Sequence, residues 1–154
     1  MPSDTEYVVT RAFDAPAELI FKAHTTPELV RRWWGFETSE WLVCDIDLTE
    51  GGKWRYVIGE HGDLEVGFHG YYKEIAGPHR LVYTEMYEGV PELPPPDAYP
   101  VVTMTLDEAS GVTTMTVLVQ HTTQEERDMV LASGMESGMQ ISYDRMEDLV
   151  RAAA

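Results

Sequence analysis

The sequence has one cysteine, few cations and no long apolar run. Cys44 has no second thiol to pair with, so an internal disulfide is excluded, and its place in an alternating apolar segment marks it as a small core residue. Eleven Lys and Arg against twenty-seven Asp and Glu give a formal charge of −16. That balance repels phosphate backbones and anionic lipid, so no nucleic-acid partner is expected. No stretch approaches the ~18 consecutive apolar residues that a membrane-spanning helix requires, and no membrane insertion is expected. The first residues alternate charged and apolar side chains, unlike a secretory leader, and a cytoplasmic location is the expectation.

Signatures of chemistry are scarce too. The five histidines, His24, His61, His69, His79 and His121, form no i, i+4 pair and have no Cys or carboxylate neighbour at a metal-site spacing, so neither a metal nor another cofactor is expected. No Gly-x-Ser-x-Gly elbow occurs. The "GGK" of Gly51-Gly52-Lys53 precedes the strand-like "WRYVI" rather than a helix, and therefore reads as a turn and not a phosphate loop. Two weak catalytic candidates remain. Glu85, in "LVYTEMY", would orient a polar group or act as a base if it faced inward beside Tyr83 or Tyr72, although a mid-strand acid more often lies on the wet face. His69 alternates with Phe68 and Gly70, which points it outward unless a bulge shifts the register.

What the chain does contain is ordered patterning over a length that suits one domain, 1–154. "EYVVTRAF" at 6–13 reads as a strand stopped by Asp14-Ala15-Pro16. "AELIFKAH" follows as a short helix, and Thr26-Pro27-Glu28 opens a second one, with Thr26 as its capping side chain and Gly35 as its end. From Glu37 to Gln120 the period is two, broken by turn signals at Gly51-Gly52, His61-Gly62-Asp63, Gly77-Pro78 and Ser110-Gly111, which predicts six strands joined as antiparallel hairpins. Thr123 and Glu126 then form a capping-box pattern ahead of a helix running to about Arg151, with a bend expected near Ser133-Gly134. The sum is an α+β fold: a curved seven-stranded antiparallel sheet around a long C-terminal helix, with two short helices between strands 1 and 2. The proline-rich "EGVPELPPPDAYP" at 88–100 is expected to form one lip of the resulting hollow.

Four blocks carry a resemblance: "FDAPAELIFKAHTTPELVRRWWG" at 13–35, "CDIDLTEGGKWRYVI" at 44–58, "GFHGYYKEIAGPHRLVYTE" at 67–85 and "ERDMVLASGMESGM" at 126–139. In this order the chain resembles the START-like, or SRPBCC, helix-grip superfamily, in the branch similar to the activator of heat-shock protein 90 ATPase. The resemblance implies a helix-grip fold. It leaves function wide, because the superfamily serves ligand carriage, polyketide cyclisation, hormone binding and co-chaperone work.

Alternation also selects an apparent inward set that includes Leu48, Trp54, Tyr56, Phe68, Tyr72, Met104 and Met115, faced by Met135, Met139, Ser142 or Tyr143, and Met146 of the long helix. "RRWWGFETSEW" places three of four tryptophans within nine residues. On a helix, adjacent indoles diverge by about 100°, so one of Trp33 and Trp34 should plug the core and the other line the entrance. Gly134 and Gly138 imply either a close approach of the long helix to its surroundings or a bend. The candidate ligand-binding residues are Trp33, Trp34, Trp54, Tyr56, Phe68, Tyr72, Tyr83, Met104, Met135, Met139 and Tyr143. The function expected is non-enzymatic binding of a hydrophobic small molecule: a lipid, polyketide or aromatic metabolite. A cyclase- or hydrolase-type enzyme using the same hollow and a co-chaperone-like interaction module are the alternatives, and a homodimer is left open.

Overall fold

The computed structural model describes residues 3–34, 40–60, 64–133 and 135–153, excepting the side chains of Glu60, Leu64, Met135, Glu136 and Ala153. The chain begins with β1 (Glu6–Phe13) and the short helices α1 (Ala17–Thr25) and α2 (Pro27–Trp33). There follow β2 (Glu40–Ile46), β3 (Lys53–Glu60), β4 (Leu64–Ala76), β5 (Arg80–Thr84), the two-residue β6 (Met86–Tyr87), β7 (Val101–Ala109) and β8 (Val112–Gln120), and then α3 (Gln124–Ala132) and α4 (Met135–Ala153). The strands form an antiparallel sheet in the order β1-β8-β7-β5-β4-β3-β2, with β6 attached to β4 beside this path. Seven strands are therefore supplemented by an eighth, very short one. The sheet curves around the C-terminal helix, which also meets α1, α2 and α3.

Alternation decides which face is filled. Tyr7 and Phe13 of β1, Leu81 of β5, Val102, Met104 and Leu106 of β7, and Met115, Val117 and Val119 of β8 are buried on the concave side, where Tyr143, Met146 and Val150 of α4 meet them. Ile20 and Ala23 of α1 and Val30 and Trp33 of α2 close the same cluster. Leu48 departs from the expected inward set: it follows the end of β2 and is 40% exposed. Arg11 joins the first strand to the last helix, with Nη2 at 2.6 Å from Asp144 Oδ1 and 3.3 Å from Glu147 Oε1, and Nη1 donating to Gln140. At the other end of the strand Arg127 Nη1 donates to the carbonyls of Ser3 and Glu6.

Several local expectations need correction. Thr26 occupies the N-cap position of α2, but its side chain makes no capping bond; Pro27 in the first turn needs no N–H partner there. α2 ends at Trp33, and Trp34 is already extended at φ −79°, so the two indoles part because the helix has stopped. Gly35 and the turn His61-Gly62-Asp63 lie outside the described residues, as does Gly134. The long helix is divided at that point into α3 and α4, as the expected bend required. Only half of the capping box forms: Thr123 Oγ1 accepts the Glu126 N–H at 3.1 Å, while the Glu126 carboxylate is taken by His121 Nδ1 at 2.9 Å and the Thr122 hydroxyl at 3.1 Å. A Cβ on Gly138 would meet nothing within 4 Å, so no close approach explains that glycine.

Candidate interior binding site

Glu85 follows β5 in phase with the inward residues Leu81 and Tyr83. Its backbone N–H has left the β4 ladder and donates to the Pro100 carbonyl at 3.0 Å. The break occurs over Gly70, where Trp54 Nε1 donates to the Thr84 carbonyl at 3.0 Å and a Cβ would overlap that carbonyl. Glycine at 70 is thus what lets the Thr84 carbonyl lie against β4 in the irregular step between β5 and β6.

Burial pushes the Glu85 carboxyl up from 4.5 to about 7. Burial is the one cause resolved for it. Its charge is felt by phenols from four elements. Tyr7 of β1, Tyr56 of β3, Tyr83 of β5 and Tyr143 of α4 are all raised above the ordinary value, first by burial and further by Glu85. Tyr72 of β4 is also raised, by burial and then by Cys44.

Among the described residues neither this carboxyl nor these five phenols makes a side-chain hydrogen bond. The side-chain polar atom that is both fully covered and unpaired there is His121 Nε2. Glu85 and Tyr83 are only half-buried, although the carboxyl is deprived of bulk water.

An aromatic array runs from these phenols toward α2. Trp54 lies 4.7 Å from Tyr56 and 5.9 Å from Tyr83 between ring centroids, Tyr56 lies 5.1 Å from Trp34, and Trp34 lies 5.4 Å from Phe68. Trp34 is half-buried and also meets Trp41 at 5.6 Å. Trp33 faces the other way: it is buried, its Nε1 donates to the Ala23 carbonyl at 2.8 Å, and it packs on His24 and Tyr143. One indole is core and its neighbour belongs to the array.

Residues 14–151 match the family described as Activator of Hsp90 ATPase homolog 1-like protein. The chain belongs to that family. Its fold is repeated in a Rhodobacter sphaeroides protein of 28% identity, TM-score 0.88, covering 99% of this chain and 96% of that one. A Nitrosomonas europaea protein is similar at 20% identity and TM-score 0.85, over 99% and 98% of the two chains. A Plasmodium falciparum HSP90 activator is similar at 19% identity and TM-score 0.66, over 94% and 95%. No curated protein among those compared matches the chain.

In this member of the Activator of Hsp90 ATPase homolog 1-like family, the sequence-derived candidates separate. Trp34, Trp54, Tyr56, Phe68, Tyr72, Tyr83 and Tyr143 form or adjoin the interior array around Glu85, and Met139 is half-buried against the core. Met104 is 1% exposed and fully enclosed by packing, while the side chain of Met135 lies outside the described residues. Tyr7 was not among the candidates. Its signal was its phase with Val9 and Phe13 on the inward face of β1.

His69 does point outward, yet it is not solvated. Its Nδ1 lies 2.8 Å from Glu88 Oε2 and its Nε2 lies 2.9 Å from the Tyr99 hydroxyl. Because a carboxylate only accepts, His69 donates through Nδ1, and in its neutral form it takes the Tyr99 O–H at Nε2. Arg55 clamps the same carboxylate at 2.9 and 3.0 Å and, with His69, holds Glu88 below the usual carboxylate range. The 88–100 segment is therefore strapped to the convex face at Glu88 and Tyr99. At those residues it is not the lip expected for an interior hollow, because both partners, Arg55 and His69, stand on the outward side of β3 and β4.

Proposed function

We propose that the protein encloses an apolar small molecule between the sheet and the C-terminal helix, with Glu85 as the polar anchor and the array from Trp34 to Tyr83 as the wall. Family membership supports a ligand-binding or co-chaperone-like module in general. The observation that carries the more specific reading is a half-buried carboxyl, pushed up to about 7 by burial, whose charge raises four tyrosines on the inward side, with no side-chain hydrogen bond to any of these groups among the described residues. Buried polar groups in a finished core are paired, so this set is arranged for a partner that is not part of the chain.

Native mass spectrometry of the purified protein, with a thermal-shift screen of apolar compounds, tests the reading. A retained mass, or a melting temperature that rises with ligand concentration, is expected. Repeated recovery of empty protein with no compound shifting the transition overturns it.

A second reading has one support. A carboxyl poised at about 7 suits a general base at neutral pH, which supports turnover of the same guest. Loss of turnover with retained affinity in Glu85→Gln distinguishes an enzyme from a carrier.

A further inference from the structure

We propose that His121 is a second polar anchor of the interior site, and that the guest carries a hydroxyl group that donates to His121 Nε2. The inference rests on the guest-binding reading above and narrows it to apolar molecules bearing an alcohol or a phenol.

The register of the sheet sets the position. Glu85 donates its N–H to the Pro100 carbonyl at 3.0 Å, Val101 pairs with Gln120, and the His121 N–H continues the β1–β8 ladder to the Thr5 carbonyl at 2.8 Å. Glu85, Pro100 and His121 therefore stand in one cross-strand row. Two strand spacings, about 10 Å, separate the backbones of Glu85 and His121. Both keep the inward phase, Glu85 with Tyr83 and His121 with Val117 and Val119. The His121 ring agrees with that phase: it stacks at 5.6 Å on Tyr7, the partner of Val119.

The ring is oriented by α3. Glu126 Oε1 lies 2.9 Å from Nδ1 and, as an acceptor, fixes the proton there, while the Thr122 hydroxyl holds the other carboxylate oxygen at 3.1 Å. Neutral His121 is left with a lone pair on Nε2, on the side of the ring turned away from Glu126. The imidazole is 4% exposed, and Nε2 is the buried side-chain atom that finds no hydrogen-bond partner among the described residues. A bare acceptor in a core is costly, and a donor from outside the chain removes that cost. A hydroxyl meets the need without bringing a charge among Tyr7, Val117 and Val119, as an ammonium group would. Ethers and carboxylates have no proton to give. Because Nε2 is fully covered, the guest reaches it by displacing a neighbour, and the Tyr7 ring is the one stacked there.

The test compares naphthylethanol with its methyl ether on the wild-type protein at about pH 8, with affinities read by calorimetry. The alcohol is expected to bind roughly tenfold tighter, because the ether leaves the acceptor unpaired. In His121→Phe, which keeps an aromatic ring against Tyr7, the two probes should become equal. Nitrogen NMR of isotope-labelled histidine rings reads the atom itself: the His121 Nε2 resonance should move further with the alcohol than with the ether. Equal wild-type affinities, or a preference for the alcohol with an unmoved His121 resonance, overturn this inference while leaving guest binding intact. Failure of both probes to bind overturns both readings. The wild-type affinities and the resonance decide the matter without the variant, so an unstable His121→Phe would not rescue the proposal.

Discussion

The Trp54 indole donates to the Thr84 carbonyl at 3.0 Å directly over Gly70. This bond fixes the peptide that leads into Glu85, and it exists because position 70 has no side chain. Gly70→Ala places a methyl group on the Thr84 backbone, which cannot rotate away as a flexible side chain would. The expected loss is about 3 kcal/mol or more, or a failure to fold, measured as the shift of the urea midpoint. A loss under ~1 kcal/mol would mean that this close approach is not held as described.

The acidity of Glu85 predicts an unusual stability profile. Its folded value of about 7 exceeds the ordinary 4.5, so its contribution is complete below pH 4.5 and is lost as pH rises through about 7. His24 runs the opposite way: burial lowers it from 6.5 to about 4, so its contribution is present above pH 6.5 and lost as pH falls through about 4. The slopes oppose one another over the shared window and flatten the wild-type profile. Glu85→Gln removes one slope, and between pH 4.5 and about 8 the variant should gain ~3 kcal/mol relative to wild type. Parallel profiles for the two proteins would contradict the burial of Glu85.

Tyr99→Phe deletes the hydroxyl that reaches His69 Nε2 while keeping the ring. The strap should loosen locally, by ~1 kcal/mol for one buried hydrogen bond. Faster amide hydrogen exchange at Glu88 and Tyr99, with little change in the β1–β8 pair, is the expected signature. Unchanged exchange there would show that the strap is held by other contacts.

Thr123 caps α3 through one bond to the Glu126 N–H. Thr123→Ala should destabilise the protein by ~1 kcal/mol, seen as a lower thermal midpoint. Because Glu126 is held by His121 and Thr122 rather than by the cap, Glu126→Gln should act on the His121 contact and leave the cap bond in place.

Most of the architecture was legible because it follows from period and punctuation. The strand, two short helices, antiparallel run and bent terminal helix each have a local cause that the sequence displays. Leu48 was misplaced because alternation was carried past the end of a strand. The site was harder to read. Glu85 shares the phase of Tyr83, but frequency favours a wet face for a lone acid, and only the fold shows that four elements bring tyrosines toward it. His69 was assigned to the correct face, yet its burial depends on a segment about thirty residues away, at a distance no local pattern encodes. The capping box was half wrong because Glu126 had a competitor, His121, that a short motif does not include.

The pairing of β1 with β8 joins Phe13 to Thr113 and Glu6 to Gln120. During synthesis the first strand therefore waits about a hundred residues for the neighbour that completes it, while the intervening hairpins can zip as they emerge. Until then its apolar edge is a sticky ribbon, open to the wrong companion. Closure of this seam, rather than formation of any hairpin, is the step that completes the sheet on which the C-terminal helices then dock.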